Sequence, residues 1–235
     1  MVPPPAVGPD ASESAARRRD LATALRNALR LGVSLVLTWA VALVVRFRLP
    51  RALGPEGFGA LSFAEGFAGS FFVLAGLGLD TYIQKEVSAR PGHASSFFGG
   101  ALAVRLVAFG ALSAALIGVL LGTGRGHLVP VAAVFALGQA LAVTNASLAA
   151  LLQAATTVGR LAVAQVVAKL VWGGGTLAVL MYTQSLWLVA LPFALAEGLK
   201  AVALFSVVQR ELGLTLRIDG PATRAVLAAS VPYFV

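Results

Sequence analysis

Residues 97–152 read FFGGALAVRLVAFGALSAALIGVLL, then GTGRGH, then LVPVAAVFALGQALAVTNASLAALL. Two apolar runs of 25 residues flank a separator built from Gly, Thr, Arg and His. An α-helix rises 1.5 Å per residue, so about 20 residues cross about 30 Å of hydrocarbon, and each run is long enough. Lipid offers no water to a peptide group, so a crossing segment must satisfy its backbone internally as a helix or a closed barrel. Barrel strands alternate polar and apolar residues over about ten positions. These runs are continuous in Leu, Ala and Val, so the stretch reads as a transmembrane helical hairpin.

The same pattern extends outward in both directions. Apolar runs cover Leu31–Leu49, Leu61–Thr81, Leu161–Met181 and Leu186–Val208. The separators Pro50–Gly57, Gln84–Ser95, Gly122–His127, Gln153–Arg160 and Tyr182–Ser185 are short and carry Gly, Pro or charge. The expected fold is all-α and integral to the membrane, a six-helix transmembrane bundle over residues 31–208. Composition agrees: 58% of the residues are hydrophobic, 12% are charged and the mean hydropathy is +0.87, too few charges to cover a core in water. There is no cysteine, which removes disulfides, thiolate metal sites and Cys nucleophiles. The net charge of +8 is spread between apolar runs and forms no aromatic-interleaved patch, which speaks against nucleic acid.

Outside the bundle, residues 1–16 are polar and Pro-rich and are expected to be a disordered tail. Residues 17–30 set Leu21, Leu25 and Leu29 against Arg17, Arg18, Arg19, Arg26 and Arg30, a basic helix suited to an anionic membrane surface or a solvated run that sets topology. Residues 209–224 read as a cytoplasmic linker, and residues 225–235 as the start of a seventh helix, so the function is expected to belong to a longer parent of which this is the N-terminal part. Lys and Arg in the short loops orient the chain. Eleven basic residues fall on the side of the N terminus and four, Arg46, Arg48, Arg51 and Arg125, on the other. This places the N terminus in the cytoplasm of a multi-pass protein of the inner membrane.

The stretch Arg51-Ala-Leu-Gly-Pro-Glu-Gly-Phe-Gly59 resembles the Leu-Gly-Pro-Glu-x-Phe/Tyr-Gly signature of the polysaccharide biosynthesis flippases, in the multidrug/oligosaccharidyl-lipid/polysaccharide exporter superfamily. Gly76-Leu-Gly-Leu-Asp80, Lys85-Glu86-Val-Ser-Ala-Arg90 and the pair Gln153 and Gly159-Arg160 are similar to further motifs of that family, although Ser88 and the Ala-Ala-Thr-Thr insert before Gly159 depart from it. The resemblance implies one lobe of a two-lobe transporter that works by alternating access. It implies an isoprenoid-diphosphate-linked oligosaccharide as cargo, a second lobe, and polysaccharide polymerase or glycosyltransferases as partners, with no cofactor. The rival readings are a cation-coupled multidrug exporter of the same superfamily and a membrane scaffold that recruits polysaccharide enzymes.

Charges inside the spans are the place to look for mechanism, because each costs about 2.5 to 3.5 kcal/mol at the bilayer centre and faces a partner or a wet cavity. Arg105, Lys169 and Lys200 each lie eight residues from the cytoplasmic end of their run, about 12 Å deep. With Arg46 and Arg48 they are the expected substrate-binding residues, cations for a diphosphate, the alternative being that the long side chains snorkel to the headgroups. Glu65, Asp80 and Glu197 are the candidates for a coupling ion. In the loop after the first run, Gly54, Pro55, Glu56, Gly57 and Gly59 are expected to make a tight turn, Pro55 presetting φ and Gly57 and Gly59 permitting positive φ. The two histidines, His93 and His127, fall in loops on opposite sides, so no metal site or catalytic dyad assembles from them, and no enzyme activity is expected.

Overall fold

The computed structural model describes residues 11–76, 94–154 and 158–213. Among them are five α-helices and no strand: α1 (Ala11–Val73), α2 (Ala94–Gly122), α3 (Val129–Ala154), α4 (Val158–Tyr182) and α5 (Leu186–Leu212). A 3₁₀ turn at Gly126–Leu128 joins α2 to α3. The chain forms two units, residues 1–40 and 41–235. The first contributes the helical residues 11–40; the packing described below is that of the second.

Helix α1 is broken at one residue, Gly54, whose φ of 71° and ψ of 174° are non-helical. The cause is local. A proline disfavours the α conformation in the residue before it, and Pro55 is itself preset for the first position of a new helix. Glycine alone accepts the resulting left-handed, extended geometry without a steric penalty. The turn expected between Pro50 and Gly57 therefore shrinks to this one break, and the positive φ falls on Gly54 and not on Gly57 or Gly59, which are helical.

The apolar residues sort into two ends of an up-and-down arrangement. One cluster gathers Leu53 and Leu61 from the two sides of the break, Leu120 from the end of α2, Leu128 from the approach to α3, Leu180 from the end of α4 and Leu186 from the start of α5. The opposite cluster gathers Phe98 from the start of α2, Leu152 from the end of α3, Leu161 from the start of α4 and Val208 from the end of α5. Successive segments therefore run antiparallel, with Gly54, the Thr123–Leu128 turn and Thr183–Ser185 at one end, the turn end, and the remaining helix ends at the other, the open end. Helix α5 lies between α3 and α4 and packs on both, while α3 and α4 barely touch. Small residues permit the close approach. A side chain at Gly138 would run into the Phe193 ring of α5, one at Gly175 would meet the Pro192 Cβ at 3.0 Å, and one at Gly173 would run into Val41. The Gly173–Gly175 run thus serves packing on two neighbours, and α4 continues through it.

The outward faces are as apolar as the inward ones. Val107, Val163, Met181 and Val202 are all largely exposed, a surface that only a lipid solvent tolerates. Four helical segments are long and apolar enough to cross a membrane: Phe98–Gly122, Gly126–Gln153, Gly159–Tyr182 and Leu186–Glu211. They match four of the expected runs within three residues at each end, and the chain is a multi-pass α-helical membrane protein.

The first two expected runs come out differently. Residues 31–49 belong to a helix that begins at Ala11, inside the expected tail, and continues to the break; Arg46, Arg48 and Arg51 crowd its last turns. The helix after the break ends at Val73, eight residues before Thr81, and tightens into turns in which the amides of Ala75 and Gly76 donate to Phe72 and Val73. Asp80 and the motif Lys85–Arg90 lie outside the described residues, as do residues 214–235 with the expected seventh helix. Residues 209–212, expected as linker, continue α5.

Candidate functional site

Arg105 sits on α2 with 1% of its surface exposed. Its Nε donates to the Ala75 carbonyl at 3.2 Å and its Nη2 to the Gly76 carbonyl at 3.2 Å. Its Nη1 donates to the Val143 carbonyl of α3 at 3.2 Å and to the buried Ser147 hydroxyl. The carbonyls after Val73 are those a helix end leaves without intrahelical partners, and they form the negative pole of the helix dipole. A planar guanidinium with five donors suits this set better than an ammonium. Arg105 thus ties the end of α1 to α2 and α3 and does not line an open vestibule.

The other charges gather elsewhere. Lys169 of α4 lies 4.1 Å from the centre of the Trp172 ring and interacts electrostatically with Glu65 and Arg46 of α1 and with Glu197 and Lys200 of α5. Arg46 and Glu65 are exposed, and Lys169 is half-buried. The three cations and two carboxylates leave this wall one positive charge in excess. Arg48 is two residues from Arg46, about 200° around the helix, and does not join it. Glu197 is pinned: the Lys200 Nζ approaches its carboxylate at 2.8 Å, and the Asn145 Nδ2 donates to its Oε2 at 2.8 Å and to its backbone carbonyl at 2.9 Å. Asn145 is buried, and its Oδ1 meets no donor among the described residues.

The structure therefore divides the expected substrate residues. Arg46 and Lys200 lie within electrostatic range of Lys169, while Arg105 is held apart by backbone carbonyls. Of the coupling-ion candidates, Glu65 and Glu197 join the same wall. Among the described residues no three His, Asp or Glu side chains are grouped to hold a metal ion.

Two features were not anticipated. Phe63, Phe67 and Phe71 form a ladder along α1, with centroid separations of 5.3 Å and 4.9 Å, and Arg125 of the turn end stands 4.8 Å from the Phe63 ring centre. The i, i+4 spacing of these phenylalanines was the available signal. The second is a groove of about 440 Å³ between α4 and α5, running from Gly159 and Arg160 to Ala168 and Lys200.

These features define a class: a polytopic membrane protein that keeps ionised side chains within apolar helices. The family model described as polysaccharide biosynthesis protein matches residues 24–235, and the chain belongs to that family. No curated protein and no solved structure matches it.

Proposed function

We propose that the chain forms a six-span lobe of a flippase that carries an isoprenoid-diphosphate-linked oligosaccharide across the inner membrane, with the N terminus in the cytoplasm. The observation that carries this reading is the wall of Arg46, Lys169 and Lys200, three cations on three segments of helices in a polysaccharide biosynthesis protein. Cations at that depth are expensive unless an anion or water meets them, and a diphosphate supplies the anion. The two arms of α1, reversed at Gly54, supply the first two spans, and a second lobe completes the cavity for alternating access. The lobe moves its cargo without making or breaking its bonds. Glu65, exposed beside Lys169, is the side chain available to take up a coupling proton or cation, whereas both oxygens of Glu197 already have partners. The polymerase and glycosyltransferases of the same pathway are the partners that supply and consume the cargo.

The test is to express the parent protein in a flippase-deficient cell and measure surface polysaccharide after Arg46→Gln, Lys169→Gln and Lys200→Gln. The expected result is a loss of polymer at unchanged protein level for Lys169→Gln and Arg46→Gln. Undiminished polymer in all three variants would overturn the cationic wall as the cargo site. Restored drug resistance without polymer would assign the lobe to a multidrug exporter.

A further inference from the structure

The groove between α4 and α5 shares only Lys200 with the charged wall, and its chemistry selects an occupant. It lies between two antiparallel helices, Val163 and Val167 on one wall and Leu199, Ala203 and Val207 on the other, and no acidic residue lines it. Gly159, Ala164, Ala168 and Ala203 leave the volume that larger side chains would fill. From Arg160 to Ala168 is eight residues, so the groove rises about 12 Å from the open end.

Its two cations play different parts. The Lys200 Nζ is turned to Glu197 at 2.8 Å, so this residue gives the groove its methylene stem. Arg160 stands at the open end with 58% of its side chain exposed, its Nη1 2.6 Å from the Glu211 carboxylate, and the exposed Arg210 is adjacent to Glu211. A solvent-exposed pair of this kind is weak, and a phosphate that offers two oxygens to the guanidinium competes well with one carboxylate. The occupant is then slim and apolar for about 12 Å and ends in an anion at the open end. An extended peptide does not fit, because the apolar walls leave its amides without partners, and a helix about 10 Å wide is too broad for a slim groove.

We propose that this groove binds the isoprenoid tail of a phosphate-bearing lipid, with the first phosphate held by Arg160. The choice of an isoprenoid over a diacyl lipid rests on the flippase reading; the groove, its depth and its cationic rim do not. Held there, the lipid-linked cargo would wait with its phosphate at the open end, a docking step that precedes transfer of the diphosphate to the charged wall.

The experiment is photolabelling of the purified chain in phosphatidylcholine vesicles with a polyprenyl diphosphate carrying a diazirine on its tail. Peptide mapping of the wild-type chain is expected to place the label on Val163, Val167 and Ala203. Ala203→Trp and Val163→Trp, both at exposed positions, are expected to cut labelling severalfold, because the indole ring occupies the groove and takes the packing contacts of the tail. Val107→Trp, exposed on α2, is expected to leave it unchanged. Arg160→Gln is expected to remove the preference for polyprenyl diphosphate over polyprenol. Label mapped away from α4 and α5, or competed equally by phosphatidylglycerol, overturns the proposal, and the mapping needs no variant to fold. Labelling reads binding alone. A groove that labels in a parent that does not transport removes the flippase reading and leaves the site, whereas transport that persists in both Trp variants with unlabelled grooves removes the site and leaves the flippase.

Discussion

Arg105 and Lys169 lie equally far from the starts of their apolar runs, each eight residues in, but the folded chain gives them opposite surroundings. Arg105 is 1% exposed and its fork is spent on the Ala75, Gly76 and Val143 carbonyls and the Ser147 hydroxyl. Lys169 is half-buried over Trp172, within electrostatic reach of charges of both signs. The first holds helices together. The second, on the proposed flippase reading, is the one that meets the cargo. Depth in the membrane is thus a poor guide to what a cation does; the supply of protein acceptors around it decides.

The contrast is broken most severely at Arg105. Replacing it with Gln leaves three carbonyls and a hydroxyl without their charged donor, and a loss of about 3 kcal/mol is expected, read as a fall in the thermal midpoint of the detergent-solubilised protein. Arg105→Lys keeps the charge but not the fork and is expected to recover only part of that loss. Lys169→Gln is expected to change the midpoint by less than about 1 kcal/mol while lowering transport, because its charge is shared with solvent and neighbours. If Lys169→Gln unfolds the protein and Arg105→Gln does not, the assignments are reversed.

Smaller effects sharpen the same divide between built interior and open wall. Gly54→Ala places a side chain at φ 71° and ψ 174° and is expected to cost about 1 to 3 kcal/mol, seen in unfolding and in the packing of Leu53 against its cluster. Asn145→Ala removes two hydrogen bonds to Glu197 and is expected to cost about 1 to 2 kcal/mol, with a double-mutant cycle against Glu197→Gln reporting the coupling. Phe63→Leu is expected to lose about 0.5 to 1 kcal/mol from its cation–π contact with Arg125 on top of its stacking on Phe67, and only the first share should vanish in an Arg125→Gln background.

Four helices were legible because lipid imposes continuous apolarity, which a linear reading detects as well as a structure does; α3 begins and ends within two residues of its expected limits and α5 within four. The break at Gly54 was half legible. The proline rule points to the residue before Pro55, while the reading by composition favoured Gly57 and Gly59. The role of Arg105 was not legible, since its acceptors are backbone carbonyls, which no residue letter records, and they come from positions 29 to 38 residues away. Lys169, Lys200 and Glu197 were each legible as charges within the spans, but their proximity to Arg46 and Glu65 depends on α1 reversing at Gly54. The groove between α4 and α5 depends on small residues of two helices facing one another, a register that one sequence does not reveal.

The cysteine-free chain allows a direct measurement of the divide between tie and wall: reaction of single cysteines with a membrane-impermeant maleimide in permeabilised vesicles. Lys169→Cys and Arg46→Cys are expected to label, since both positions reach open space, and Ser147→Cys, buried against the Arg105 guanidinium, is expected to stay unlabelled until the protein is unfolded. Labelling of Ser147→Cys in the folded protein together with protection of Lys169→Cys would contradict the account.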